Sequence, residues 1–433
     1  MHRAHRLVRS ASFAAYVDQG EVSLGNLLTQ VVLARALLPA DYGAVTLLIG
    51  AILAVRALLA ATVTYPVTVW SATASEAETR REAGHALAAT LLWAAPGAVI
   101  VAVVCMALGR ASLLPFAVPA LVAGLLQETI RRVLFARLRF AAAIVGDAIS
   151  YPGQALALAL VVRATTSLSA VFATMAISST LALLVQSVQV RPSRPVATRS
   201  WLGRALSFGR WMLGANALQP LTLQFFPWLL AGFYGTAATA QLQAISTLLG
   251  VSNPVMATSS NLVMPIAARA TVEGEERIRG LVMRIGLQGF ALLAPFYAAM
   301  LLVPSLLLRM VFGAGSPYAS LGGEMRLLTI AYMLLLCLNI LGNYFVGMGR
   351  SRVVFVAQLV GVAVAVTMGT ALVWQLGVAG ASLALAATTG VQVVWLWRIW
   401  RSPAADPVRT GDPITGVEGV GPRSVASQVT FQE

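Results

Sequence analysis

Twelve apolar stretches follow one another along this chain with only short polar connections between them. Each is close to, or longer than, the roughly 20 residues that an α-helix needs to cross the hydrocarbon core of a bilayer. They fall at 10–37, 43–70, 84–108, 113–140, 141–162 and 167–190, then at 205–231, 235–267, 281–312, 322–348, 352–374 and 378–400. Such a succession leaves no room for a soluble fold. Only 11% of the residues are charged and 58% are hydrophobic, against about 25% charged in a soluble domain. The sequence therefore predicts an all-α polytopic membrane protein with about 12 transmembrane helices.

Charge then orients the spans. The net charge is +14, and every basic residue is an arginine. Of the 30, 24 fall in 1–9, 71–83, 131–139, 191–210, 269–284, 350–352 and 398–433. Arginine gathers in cytoplasmic connections, so an even number of spans places both termini in the cytoplasm. The positive balance is thus a membrane signature and not a sign of nucleic-acid binding. Cys105 and Cys337 lie in apolar runs and read as small buried residues, neither a disulfide nor a zinc site. No cleavable signal sequence is expected, because the first apolar segment is too long and too polar on one face.

The longest inner connection, "RPSRPVATRSWLGR" at 191–204, holds two prolines followed by basic and aromatic residues. It reads as a cytoplasmic linker with a short interfacial helix. It divides two lobes of six helices, 1–190 and 205–401. The tail, 402–433, is rich in Gly, Pro, Ser and Thr and is expected to be disordered. "LFARLRFAAAIVGD" (Leu134–Asp147) and "YFVGMGRSRVVFVAQ" (Tyr344–Gln358) resemble each other once one gap is allowed. That points to a repeat, a common transporter plan with the cargo site between the halves.

The first span carries Asp18, Gln19, Glu21, Ser23, Asn26, Thr29 and Gln30. At 100° per residue these occupy an arc of roughly 200°, with Val17, Gly20, Leu24, Leu27, Leu28 and Val31 opposite. The helix is expected to turn one face to lipid or packing and the other to water or a polar cargo.

The stretch "SASFAAYVDQGEVSLGNLLTQVVLARALLPADYGAVTLL" (Ser10–Leu48) resembles the opening of the polysaccharide (O-antigen) flippases. These belong to the multidrug/oligosaccharidyl-lipid/polysaccharide exporter superfamily. Ser23 and Asn26 precede the "AR-L-P-DYG" pattern of Ala34, Arg35, Leu37, Pro39, Asp41, Tyr42 and Gly43. "RRVLFARLRF" (Arg131–Phe140) and "SFGRWMLGANAL" (Ser207–Leu218) are similar to the family's fourth-helix ending and seventh-helix start. The resemblance covers roughly 7–401. It implies two six-helix lobes around a cavity, in the bacterial cytoplasmic membrane, and movement of a polyprenyl-pyrophosphate-linked glycan from inner to outer leaflet. An ion gradient of H+ or Na+ and glycan polymerase or export proteins are the implied partners. "VTYPVTVWSA" (Val63–Ala72) departs from the family in being polar and aromatic.

Arg56 lies midway along the second span. It is expected either to attract the pyrophosphate, as a planar cation, or to pair with Asp18 or Glu21. Those two acids, one turn apart, either form a coupling site for an ion or neutralise Arg56. Gln19, Ser23, Asn26 and Gln30 offer hydrogen bonds to sugar hydroxyls or act as helix–helix glue. Glu128 pairs with Arg131 or Arg132 at i+3 or i+4, which leaves one positive charge over to face the cavity. Asp147 and Arg210 are expected to snorkel to the interface. Glu324 and Arg326 are expected to pair at the outer surface, and His85 to be a boundary residue. Six prolines, at 220, 227, 254, 265, 295 and 304, are expected to interrupt the seventh to ninth spans.

No phosphate loop, metal-ligand cluster or catalytic triad spacing supports an enzyme, and no cofactor is implied. A membrane glycan polymerase would carry a large outer loop, and every outer loop here is short. A multidrug or small-molecule exporter of the same superfamily is the alternative.

Overall fold

The computed structural model describes residues 2–268 and 274–401, with the side chains of 2–16, 210–223 and 261 outside that description. The Arg210 and Pro220 side chains and the tail 402–433 therefore lie outside the described residues. The described residues are helical with no strand. We number the helices α1 (His2–Ala36), α2 (Pro39–Thr73), α3 (Glu76–Ala107), α4 (Leu114–Ala136), α5 (Phe140–Ala164) and α6 (Leu168–Val190). Next come α7 (Arg199–Tyr234), α8 (Thr236–Leu249), α9 (Asn253–Ala267), α10 (Glu275–Leu302), α11 (Pro304–Phe312), α12 (Gly322–Gly347) and α13 (Ser351–Arg401). Eight helical segments among the described residues are long and apolar enough to cross a membrane.

Local chemistry sets the boundaries. Ser75 and Glu78 form a reciprocal capping box that starts α3. Thr198 caps α7 by accepting from the Trp201 N–H. Only 191–198 is non-helical, so the separate surface helix expected there is instead the first turns of α7. Nothing between Thr198 and Pro220 breaks the helix, and the cap makes it continuous. Pro304 separates α11 from α10, and Pro254 opens α9 after a 3₁₀ turn. Pro227, Pro265 and Pro295 sit inside unbroken helices, so those interruptions are absent.

The 51-residue α13 is a hairpin. Gly377 adopts φ 56° and ψ −126°, a conformation that only glycine reaches at little cost. Position 361 faces 392, 369 faces 384, and 372 touches 380. This matches the turn expected between 374 and 378. Trp397 and Trp400 stack, ring centroids 6.5 Å apart.

The suspected repeat is present in the backbone. At the α4–α5 turn the Arg139 N–H bonds to the Leu134 carbonyl (2.9 Å) and Leu138 to Phe135 (3.0 Å). At the α12–α13 turn Arg350 bonds to Phe345 (2.8 Å) and Gly349 to Val346 (3.0 Å). Both are six-to-one closures with the third helix-ending residue at positive φ, Leu138 and Gly349. The displacement is 211 residues at both backbone closures, so the gap expected from sequence disappears there and Leu134 matches Phe345, not Tyr344. Each following helix contains a five-residue π-turn, Ile149–Gly153 and Ala365–Gly369.

Packing is closest where side chains are missing. Gly209 of α7 lies against the Ala61 carbonyl of α2, and Gly43 of α2 against the Thr236 carbonyl of α8. A Cβ on Gly25 of α1 would lie 2.5 Å from the Tyr151 carbonyl carbon in the π-turn of α5. Arg35, at the end of α1, donates to the carbonyls of Val311 (2.5 Å) and Met310 (3.0 Å) at the end of α11. Cys105 is buried and free, as expected, and Cys337 is half-buried and free.

Candidate functional site

Glu128, Arg131 and Arg132 lie on α4 at a spacing that puts them on adjoining turns. Arg131 is 6% exposed. Its guanidinium donates from Nη2 to Asp18 Oδ2 of α1 (2.9 Å) and from Nε to Asp147 Oδ2 of α5 (2.5 Å). A longer contact runs from Nη1 to Glu128 Oε2 (3.5 Å). Carboxylates from three helices thus converge on one cation, whose flank also lies 4.5 Å from the Phe135 ring centroid. Arg132 donates from Nε to Glu128 Oε1 (2.6 Å), and its side chain is 37% exposed.

Asp147 was expected at the interface, but it is fully buried. It accepts from Gln127 (3.3 Å) and Gln186 (3.1 Å) as well as from Arg131. The correction has a simple reason: a buried cation supplies the partner that makes snorkelling unnecessary. Asp147, Gln127 and Gln186 are therefore members of the cluster that sequence reasoning missed.

The expected surplus positive charge is also corrected. Arg131 is taken up by Asp18 and Asp147 and Arg132 by Glu128. Counting Glu21 and Arg56, four carboxylates meet three guanidinium groups. Two oxygens are left over: Asp18 Oδ1 and Glu21 Oε2 are buried without a hydrogen-bond partner among the described residues. A buried carboxylate oxygen without a donor is costly.

Arg56 does not pair with Asp18 or Glu21. It is half-buried and donates from Nη2 to the Gly124 carbonyl of α4 (3.3 Å). Its Nε is buried and has no partner among the described residues. Of the three arginines it is the one with no ion pair among the described residues.

The polar arc of α1 divides. Asp18, Gly25 and Thr29 are buried, with Gly25 against the π-turn of α5. Gln19 and Asn26 are exposed on one flank, and Val17, Leu24 and Leu28 on the other. Ser23 is half-buried, and Gln30 accepts from the Tyr42 hydroxyl (3.0 Å). The arc thus has three environments where the sequence predicted one. Gln19 and Asn26, both exposed, make no side-chain hydrogen bond to a neighbouring helix among the described residues, while Gln30 does bind one.

Elsewhere, Arg326 donates to the Leu301 carbonyl (2.8 Å) and forms no ion pair with Glu324 among the described residues. His85 Nδ1 lies 2.6 Å from the Val196 carbonyl, which ties α3 to the linker. A cavity of about 390 Å³, lined by Arg35, Pro39, Ser316 and Tyr318 among others, sits at the other end of α1 from the charged cluster.

The fold is similar to that of solved transporters, some of them of the multidrug/oligosaccharidyl-lipid/polysaccharide (MOP) superfamily. The chain is similar to the lipid II flippase MurJ in an inward closed conformation: TM-score 0.69, 12% identity, 90% of this chain and 87% of that one. It is also similar to a multidrug resistance MATE transporter of the MOP superfamily facing inward, at TM-score 0.68 and 13% identity over 89% and 98% of the two chains. A eukaryotic MATE transporter, AtDTX14, follows at 0.64 and 14% over 91% and 96%. No protein-family model matches the sequence, and no curated protein matches it.

Proposed function

We propose that this chain flips a polyprenyl-pyrophosphate-linked oligosaccharide from the inner to the outer leaflet of a bacterial cytoplasmic membrane, by alternating access and without catalysis. Twelve crossings in two six-helix lobes, 1–190 and 205–401, joined by 191–204 and with both termini in the cytoplasm, are part of this reading. The observation that carries it is Arg56, a cation on a half-buried position of α2 that makes no ion pair among the described residues and whose Nε has no partner there. Such a group is suited to a diphosphate, which a guanidinium binds through two parallel bonds. Arg132, part-exposed beside Glu128, adds a second positive edge. Gln19, Ser23 and Asn26 offer donors and acceptors to sugar hydroxyls from the exposed flank of α1.

Asp18 and Glu21 are the proposed coupling pair. Their two unpartnered oxygens, one turn apart, can take a proton or a sodium ion. Glu128 is the structural counter-ion of Arg132.

In a strain lacking the protein, lipid-linked glycan accumulates on the cytoplasmic face, and Arg56→Ala restores none of the flux while Arg56→Lys restores part. A specific observation favours one other reading. Four carboxylates against three guanidinium groups suit a cationic cargo, as in a multidrug exporter. Unchanged glycan export together with increased drug sensitivity in the same strain would decide for that alternative.

A further inference from the structure

Helices α2, α3 and α7 enclose a crevice of about 190 Å³. Its lining includes Thr62, Val63, Ala89, Trp93, Ala205 and Leu206. It lies below the roughly 300–1,000 Å³ of small-molecule sites, a size for a length of hydrocarbon and not for a headgroup. The walls are largely apolar, and the Thr62 hydroxyl bonds the Leu58 carbonyl of its own helix (3.1 Å). The rim is open: Leu92 is 55% and Leu206 46% exposed.

An aromatic and cationic cluster adjoins the crevice one turn away on α7. Trp70 meets Trp201 and Phe208 edge-on, with ring centroids 5.7 and 6.2 Å apart. The Arg204 guanidinium lies 4.0 Å from the Trp70 ring centroid, and its side chain is 55% exposed. Glu82 spends one oxygen on Trp201 Nε1 (2.6 Å) and the other on Arg204 Nη2 (2.9 Å). The neighbouring segments carry Arg80, Arg81, Arg194, Arg199 and Arg204 against Glu76, Glu78 and Glu82, a positive surplus. Tryptophan and arginine at this level are the residues that meet lipid headgroups.

We propose that this crevice is a binding site for one acyl chain of an anionic phospholipid whose phosphate rests at Arg204. The occupant is a resident lipid and not the tail of the cargo. Gly209 brings the backbone of α7 against the Ala61 carbonyl at this level, which closes the crevice from the inside. A chain can enter it from the bilayer, and a headgroup held at Arg56 cannot thread its tail through. This assignment stands whether or not the flippase reading does.

Native mass spectrometry of the purified full-length protein, equilibrated with equal phosphatidylglycerol and phosphatidylcholine, tests it. One phosphatidylglycerol per chain is expected to be retained, about fivefold over phosphatidylcholine for one arginine. Arg204→Gln, at an exposed side chain, should remove the preference, and Leu206→Trp, at the open rim, should remove the retained lipid. As an independent readout, brominated phosphatidylglycerol should quench a component of fluorescence that Trp93→Phe abolishes. Equal retention of both lipids, or a retained lipid unchanged by Leu206→Trp, overturns the proposal. So does one-for-one displacement by polyprenyl phosphate, which would assign the crevice to the cargo.

Discussion

The two halves solve the same packing problem with different chemistry. On α4 an i,i+4 pair, Glu128 and Arg132, is an ion pair at 2.6 Å inside a knot of three more charged groups. Displaced by the same 211 residues, α12 carries Asn339 and Asn343. There Asn343 Nδ2 donates to the Asn339 carbonyl (2.7 Å) and to the Ser260 hydroxyl of α9 (3.0 Å), and Ser260 donates to Asn339 Oδ1 (2.9 Å). Arg131 corresponds to Gly342. The neutral version shows that the helix bundle can be held at this level by amides and a hydroxyl. The charged version therefore has a reason other than stability, since a buried ion pair gains little over a well-packed neutral replacement. Charge in one half only makes the site asymmetric, and it localises the proposed coupling chemistry to the first six helices.

The comparison can be broken most severely at Arg131. Arg131→Met leaves Asp18 and Asp147 buried without their cation, and is expected to cost about 3–5 kcal/mol, read as a lowered melting temperature in detergent. Adding Asp18→Asn and Asp147→Asn should recover most of that stability but not transport. Next come the two glycines that seat a glutamine in each half. A Cβ at Gly146 would displace Gln186, whose Nε2 donates to Asp147 (3.1 Å) and to the Ala143 carbonyl (3.3 Å). A Cβ at Gly361 would displace Gln392, whose Nε2 has no partner among the described residues. Gly146→Val is thus expected to cost about 1–3 kcal/mol and Gly361→Val less; equal melting shifts would sink the distinction. Asn343→Ala should cost only about 0.6 kcal/mol, the usual size of a hydrogen bond between membrane helices. The smallest change in stability is expected for Glu128→Asn with Arg132→Asn, which gives α4 the amide pair of α12. Its melting temperature should stay near that of the parent while flux falls. Retained flux would show that the charge is dispensable.

Much of this architecture was legible. Hydropathy and arginine placement located the helices, and the fold-back at Gly377 fell in the gap left between 374 and 378. Glu128, Arg131, Arg132, Asp18 and Glu21 stood out as charges in apolar runs. Their pairing was not legible, because it depends on which faces of α1, α4 and α5 meet. Asp147 was discounted as interfacial, although it lies eight residues beyond Arg139, about 12 Å along a helix, deep enough to need a partner. Gln186 gave no signal at all, for it comes 39 residues later and meets Asp147 only because Gly146 lets it approach. The π-turns were invisible, since neither ISYPG nor AVTMG has a pattern that separates them from ordinary helix. The repeat was seen with a gap because side-chain similarity slid by one residue where the backbone closures do not.

Arg35 has a consequence for what can open this molecule. Its acceptors, at Met310 and Val311, are backbone carbonyls, which do not titrate, and a guanidinium stays charged in proteins at any pH. Neither acidity nor a sodium gradient can loosen that grip directly. A stimulus that acts on Asp18 and Glu21 must reach this end of α1 as mechanical work, carried along the helix that holds both.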